Sequence, residues 1–245
     1  MHFRLWQRRR ALRRGTLEQF PFRDRQITVY LPPGHGADRA YPVLYMQDGQ
    51  NLFDDERSFA RQSWRLHDAA DTAIGARTAT PMIIAGIDHA GDKRIDEYTG
   101  DDYGRMLLDE IKPLVDSKYR TTTAAIGGSS LGGLVSLRLG LTTSVFSGVA
   151  AMSPSVWWNN RAILELEPLN HPRIWLDVGW REGRKTLDDA RLLHDRLRAK
   201  GWSDADLHFY QDRRGDHSEL AWRRRAKMML EFLFPPGEFA SSNGS

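Results

Sequence analysis

Ala124-Ala125-Ile126-Gly127-Gly128-Ser129-Ser130-Leu131-Gly132-Gly133 carries a short apolar run into a segment of helical period through a cluster of small residues. Within it, Gly128-Ser129-Ser130-Leu131-Gly132 has the spacing G-x-S-x-G. A strand that becomes a helix across so few residues must turn sharply, and the turn lifts the central serine above the sheet. Glycines at 128 and 132 let the neighbouring backbone pass that turn with no Cβ in the way. The helix beginning after Ser130 aims its unpaired amides and positive dipole end at the serine, so the N–H of Leu131 is a candidate donor to a developing oxyanion. Ser130 is read as a nucleophile and Ser129 as its structural neighbour.

Outward from this turn, short apolar or β-branched runs alternate with longer segments of helical period. Strands are expected at Gln26–Leu31, Val43–Gln47, Met82–Ile87, Ala124–Gly127, Gly148–Met152, Ile174–Val178 and Leu207–Tyr210. Helices are expected at Tyr103–Lys118, Gly133–Leu141, Leu187–Lys200 and Ser218–Phe234. This alternation predicts an α/β fold, a mostly parallel central sheet with helices on both faces. The first strand is expected to pair antiparallel with the second, because the connection from Pro32 to Pro42 holds no helical pattern. The 245 residues fit one large domain over 16–236, between a basic tail at 1–15 and a short tail at 237–245.

Composition narrows the chemistry. The chain has no cysteine, which removes disulfides, thiolate nucleophiles and thiolate-held metals together. The first fourteen residues hold six arginines and no acid, and setting them aside takes the formal charge from +3 to −3. The pI of about 9.2 is therefore a property of the tail. That tail reads as a solvated basic end, without implying nucleic-acid binding. No apolar run approaches the roughly 18 residues of a membrane span, and no apolar segment follows the arginines as a secretory signal requires. No membrane span and a cytoplasmic location are the expectation. The eight histidines show no H-E-x-x-H spacing and the aspartates no ligand cluster, so neither metal nor cofactor is called for.

A hydroxyl is a poor nucleophile near neutral pH unless a positioned base takes its proton. Four histidines follow Ser130. His171 precedes a proline ahead of a strand, and His194 and His208 sit inside periodic helix and strand patterns. His217 instead lies in Arg213-Arg214-Gly215-Asp216-His217-Ser218-Glu219, a turn between the last strand and the last helix, and is the candidate base. The acid should lie between serine and histidine, at the carboxyl end of a strand. Glu182, in the turn after Ile174–Gly179, is the first choice. Asp188 and Asp189 lie further on, where Thr186 and Asp189 read as a capping box, and Asp177 could be a buried structural carboxylate.

With these residues in hand, the chain resembles the putative-esterase family of the α/β-hydrolases, which includes enterochelin esterase, esterase D and feruloyl esterases. The likeness covers about residues 16–236. It is carried by Val29-Tyr30-Leu31-Pro32-Pro33-Gly34, the run Tyr41 to Phe53 with its Asp48-Gly49-Gln50-Asn51, Gly86-Ile87-Asp88, Arg94 to Tyr98, the serine turn, Ser153-Pro154-Ser155, Asp177-Val178-Gly179 and Gly215-Asp216-His217. The resemblance implies ester hydrolysis through an acyl-enzyme, with the backbone N–H of Gln50 as the second oxyanion donor. It also implies an acid in a segment matched here by Gly179-Trp180-Arg181-Glu182, where the tryptophan departs from the usual small residue.

An acyltransferase on the same turn and a non-catalytic binding module are the rival readings. The expected partner is a small-molecule ester. Trp157, Trp158 and Trp180 are candidates to line its pocket, which would suit hydroxycinnamoyl, siderophore or acetylated-sugar esters without choosing among them. Arg94 and Glu97 are expected to form an ion pair that braces the rim.

Overall fold

A computed structural model describes residues 14–36 and 38–237. The basic tail up to Arg13 and the C-terminal residues from 238 on lie outside the described residues.

Eight strands form one sheet: β1 (Thr16–Phe22), β2 (Arg25–Leu31), β3 (Tyr41–Gln47), β4 (Ile83–Ile87), β5 (Thr121–Ser129), β6 (Phe146–Met152), β7 (Arg173–Gly179) and β8 (Leu207–Asp212), in the order β1-β2-β4-β3-β5-β6-β7-β8. From β4 through β8 the neighbours run parallel, while β1 and β2 pair antiparallel with each other and β2 antiparallel with β4. The expected pairing of the first two predicted strands is thus corrected: β4 lies between β2 and β3. β3, buried along its whole length, instead pairs parallel with β4 on one side and with β5 on the other, as a mostly apolar run in the middle of a parallel sheet does.

The helices are α1 (Leu66–Ala76), α2 (Arg94–Thr99), α3 (Asp102–Met106), α4 (Lys112–Lys118), α5 (Leu131–Thr142), the short α6 (Trp158–Arg161), α7 (Arg184–Ala199) and α8 (Glu219–Leu233). A π-helical turn at Leu107–Ile111 joins α3 to α4, so the single helix expected at Tyr103–Lys118 is one rod with a widened middle. Alternate strand residues face opposite layers. Val43 and Tyr45 join a core built with α3, α4, α5 and α7, while Leu44 and Met46 join a second core built with α1 and α8. Among the described residues no helix is long and apolar enough to cross a membrane. The carboxyl ends of β3, β5, β7 and β8 all open on one edge of the sheet, where the loops carry the residues considered next.

Candidate active site

Ser130 stands between β5 and α5 at φ 57°, ψ −124°, backbone that L-residues seldom adopt. The turn tolerates no bulk. A Cβ on Gly128 would come within 2.8 Å of the Gly132 carbonyl carbon, and one on Gly132 within 3.0 Å of Gln47 Cβ. Leu131 is the first residue of α5, where amides lack intrahelical acceptors. Ser129 ends β5, largely buried, in register with Met152. The Ser130 hydroxyl is hydrogen-bonded to Ser155 Oγ at 3.2 Å, and no hydrogen bond to His217 forms.

The loop after β3 is braced from below. Asp48, at φ 57°, accepts two hydrogen bonds from Arg94, at 2.7 and 2.8 Å, and one from the Tyr98 hydroxyl at 3.2 Å. The Asp48 N–H donates back to that hydroxyl at 3.1 Å. Gly49 passes so close to β4 that a Cβ there would lie 2.5 Å from the Gly86 carbonyl carbon. Gln50 follows in a 3₁₀ turn, its side-chain carbonyl accepting from the His89 N–H at 3.3 Å. Arg94 does not pair with Glu97 as expected: its fork matches Asp48, and Glu97 accepts two hydrogen bonds from Arg25 instead.

His217 Nδ1 lies 2.8 Å from Glu182 Oε2, with the carboxylate side chain only 1% exposed and the ring 44%. The two loops are tied together, since the Arg181 N–H donates to the Gly215 carbonyl at 2.9 Å. Ser218 caps α8 just beyond, its side chain accepting from the Ala221 N–H, and the Trp222 ring meets His217 edge-on at 5.0 Å. Glu182 Oε1 accepts from the Gly179 N–H at 2.7 Å and from Ser153 Oγ at 2.6 Å. Burial opposes ionisation of Glu182, but the hydrogen bonds from His217, Ser153 and Gly179 outweigh it and hold the carboxyl below its ordinary pKa.

The other acids lie elsewhere. Asp188 is exposed and faces Arg184 and Arg191. Asp189 is buried against Arg161 at 2.7 Å. The capping box expected from Thr186 and Asp189 is absent because α7 begins earlier, at Arg184, with Gly183 before it. Asp177 is fully buried beside Arg225, and burial pushes its pKa up to about 6 against the pull of that guanidinium. Ser153, Ser155 and Arg225 were given no role by the sequence. Two of them stand in Ser153-Pro154-Ser155, quoted above for its resemblance, and that segment was the available signal.

Of the three tryptophans, Trp157 and Trp180 are half-exposed, at 48% and 45%, and Arg213 lies over the Trp180 ring. Trp158 lines a cavity of about 190 Å³ with Tyr98, Leu134, Arg138, Asn159 and Ile163, alongside α5. Among the described residues no cluster of three or more His, Asp or Glu side chains could hold a metal ion.

Residues 20–233 match the profile of the family described as "Putative esterase". The Bacillus subtilis protein YbbA, described as uncharacterized, is 25% identical over 255 residues, covering 90% of this chain and 97% of its own. Among solved structures, the BES protein from Bacillus cereus superposes with a TM-score of 0.74 at 21% identity, covering 89% of this chain and 96% of its own. The enterobactin esterase FES from Shigella flexneri gives a TM-score of 0.72 at 20% identity, with 90% of this chain spanning 59% of that one. The match over most of the chain, on a sheet of this order, means that the chain belongs to the putative-esterase family, carboxylic ester hydrolases of the α/β-hydrolase fold.

Proposed function

We propose that a single catalytic domain over residues 16–236 hydrolyses small-molecule carboxylic esters through an acyl-enzyme on Ser130, with His217 as base and Glu182 as acid. The observation that carries this reading is the 2.8 Å contact between His217 Nδ1 and buried Glu182, on the same sheet edge as a serine at φ 57°. Substrate binding draws the Ser130 hydroxyl from Ser155 to His217 Nε2, since catalytic hydrogen bonds commonly align only once substrate is bound. Ser130 Oγ then attacks the ester carbonyl as His217 takes its proton. The backbone N–H groups of Leu131 and Gln50 hold the oxyanion. Collapse expels the alcohol, which receives the proton from His217, and water repeats the sequence to release the acid.

Glu182 fixes the ring tautomer and stabilises the imidazolium while it exists. On this reading the exposed faces of Trp157 and Trp180, with Trp158 beside the cavity, stack an aromatic or sugar ring of the ester. A hydrolysis screen across graded acyl chains and aromatic esters, with Ser130→Ala as the blank, tests both parts. Turnover favouring aromatic or sugar esters and absent from the blank supports the reading, while equal turnover in the blank overturns it.

A further inference from the structure

Ser153 lies at the end of β6 with φ 43°, in the left-handed region, and is 1% exposed. Three side chains meet at its hydroxyl. Trp222 Nε1 donates to Oγ at 3.1 Å and Arg225 Nη2 at 3.3 Å, while Glu182 Oε1 lies 2.6 Å away. Indole and guanidinium carry no acceptor, so both must donate. The one hydroxyl proton of Ser153 therefore has a single destination, Glu182. An ordinary serine rotor could turn away. This one cannot without leaving two buried donors unmatched.

The other end of the residue is fixed as well. Its N–H donates to the Asp177 carbonyl at 3.0 Å and to Asp177 Oδ1 at 3.1 Å. Asp177 Oδ1 also lies 3.1 Å from Arg225 Nη1, and Trp175 Nε1 donates to Oδ2 at 2.8 Å. Arg225 and Asp177 are 1% and 0% exposed. Burying such a pair costs desolvation that its attraction commonly only matches, so the pair is poorly explained as a stabiliser of the fold. Its geometry suits another purpose. Trp222 and Arg225 are three residues apart on α8 and share a face, the Trp222 ring packs on His217, and β7 carries Asp177 two residues before the Gly179 amide that also binds Glu182.

We propose that Ser153 is a positioning residue for Glu182, its hydroxyl aimed by Trp222 and the Asp177-held Arg225 so that the carboxylate stays turned toward His217. The proposal rests on Glu182 being the acid of the site. Ser153 touches neither Ser130 nor the reacting atoms. It acts through Glu182 alone, so its effect must vanish when Glu182 no longer bears a charge.

The test is a double-mutant cycle on ester hydrolysis. Ser153→Ala removes the hydroxyl, and Ser153→Gly removes it while relieving the positive φ, so at least one folded variant is available. Each is expected to lower kcat roughly ten- to hundredfold, the range for a hydrogen bond to a charged group, with KM changed less than about threefold. In the Glu182→Gln background the same substitutions should change kcat by less than about twofold. The downfield proton resonance of the His217 Nδ1–H should shift or broaden in Ser153→Gly, a change that general loosening of the fold does not produce. Wild-type kcat in both Ser153 variants beside a crippled Glu182→Gln would overturn the proposal and leave Glu182 as the acid. A Ser153 effect that persists undiminished without the Glu182 charge would overturn it too. Full activity in Glu182→Gln itself would overturn both assignments.

Discussion

Ser130 and Glu182 are held in place by different means, and single substitutions should separate them. The serine is placed by backbone, so Ser130→Ala should keep the fold and its melting temperature while kcat/KM falls by at least about 10³, with Ser129→Ala as the near-neutral control. Calorimetry beside steady-state kinetics checks both halves. Glu182 is placed by hydrogen bonds, so Glu182→Gln keeps the shape and loses the charge, lowering kcat by roughly 10² to 10⁴. Asp188→Asn should cost little, because that carboxylate faces solvent and arginines. At this scale local context singles out Ser130, His217 and Glu182, the residues proposed as nucleophile, base and acid, and the structure brings His217 and Glu182 together. Ser153 and Arg225 were not, since their meeting joins residues 72 positions apart and no spacing announces it.

At the scale of elements, the sharp join of β5 to α5 depends on two glycines whose missing Cβ atoms let Gln47 and the first turn of α5 approach. Gly128→Ala would place a methyl 2.8 Å from backbone that cannot yield, and should destabilise the protein by about 1–3 kcal/mol, read from denaturant midpoints. The buried strands were visible because parallel strands covered on both faces read as unbroken apolar runs. β1 was missed because Thr16–Phe22 is an edge strand, mostly exposed and lacking such a run. α1 was missed because its buried face is made largely of small residues, Ala70 and Ala73, and its ends are arginines in left-handed conformation, not the usual capping types. Strand order was beyond local reading altogether, since nothing in the connection from Pro32 to Pro42 says that the next strand will lie one place further in.

For the whole molecule, pH acts on stability and on turnover through the Glu182 carboxyl. Glu182 has a folded pKa below its ordinary 4.5, so the stability it contributes is present above that value and is lost as pH falls through the folded pKa. Wild type should therefore lose stability below about pH 4.5 more steeply than Glu182→Gln, as chemical denaturation across that range would show. Turnover should fall over the same range, because a Glu182 carboxyl that has taken up its proton no longer carries the charge that stabilises the imidazolium. Chelators should leave turnover unchanged, and a loss in EDTA restored by a divalent cation would contradict a serine mechanism. The most direct test weighs the intact 28.1 kDa chain after treatment with a fluorophosphonate, from which an activated serine displaces fluoride and keeps the phosphonyl group. A single adduct per chain, mapping to Ser130, forming in step with loss of esterase activity and absent from Ser130→Ala, is the predicted result. An adduct on another residue, or a Ser130→Ala enzyme that still turns over esters at the wild-type rate, would contradict it.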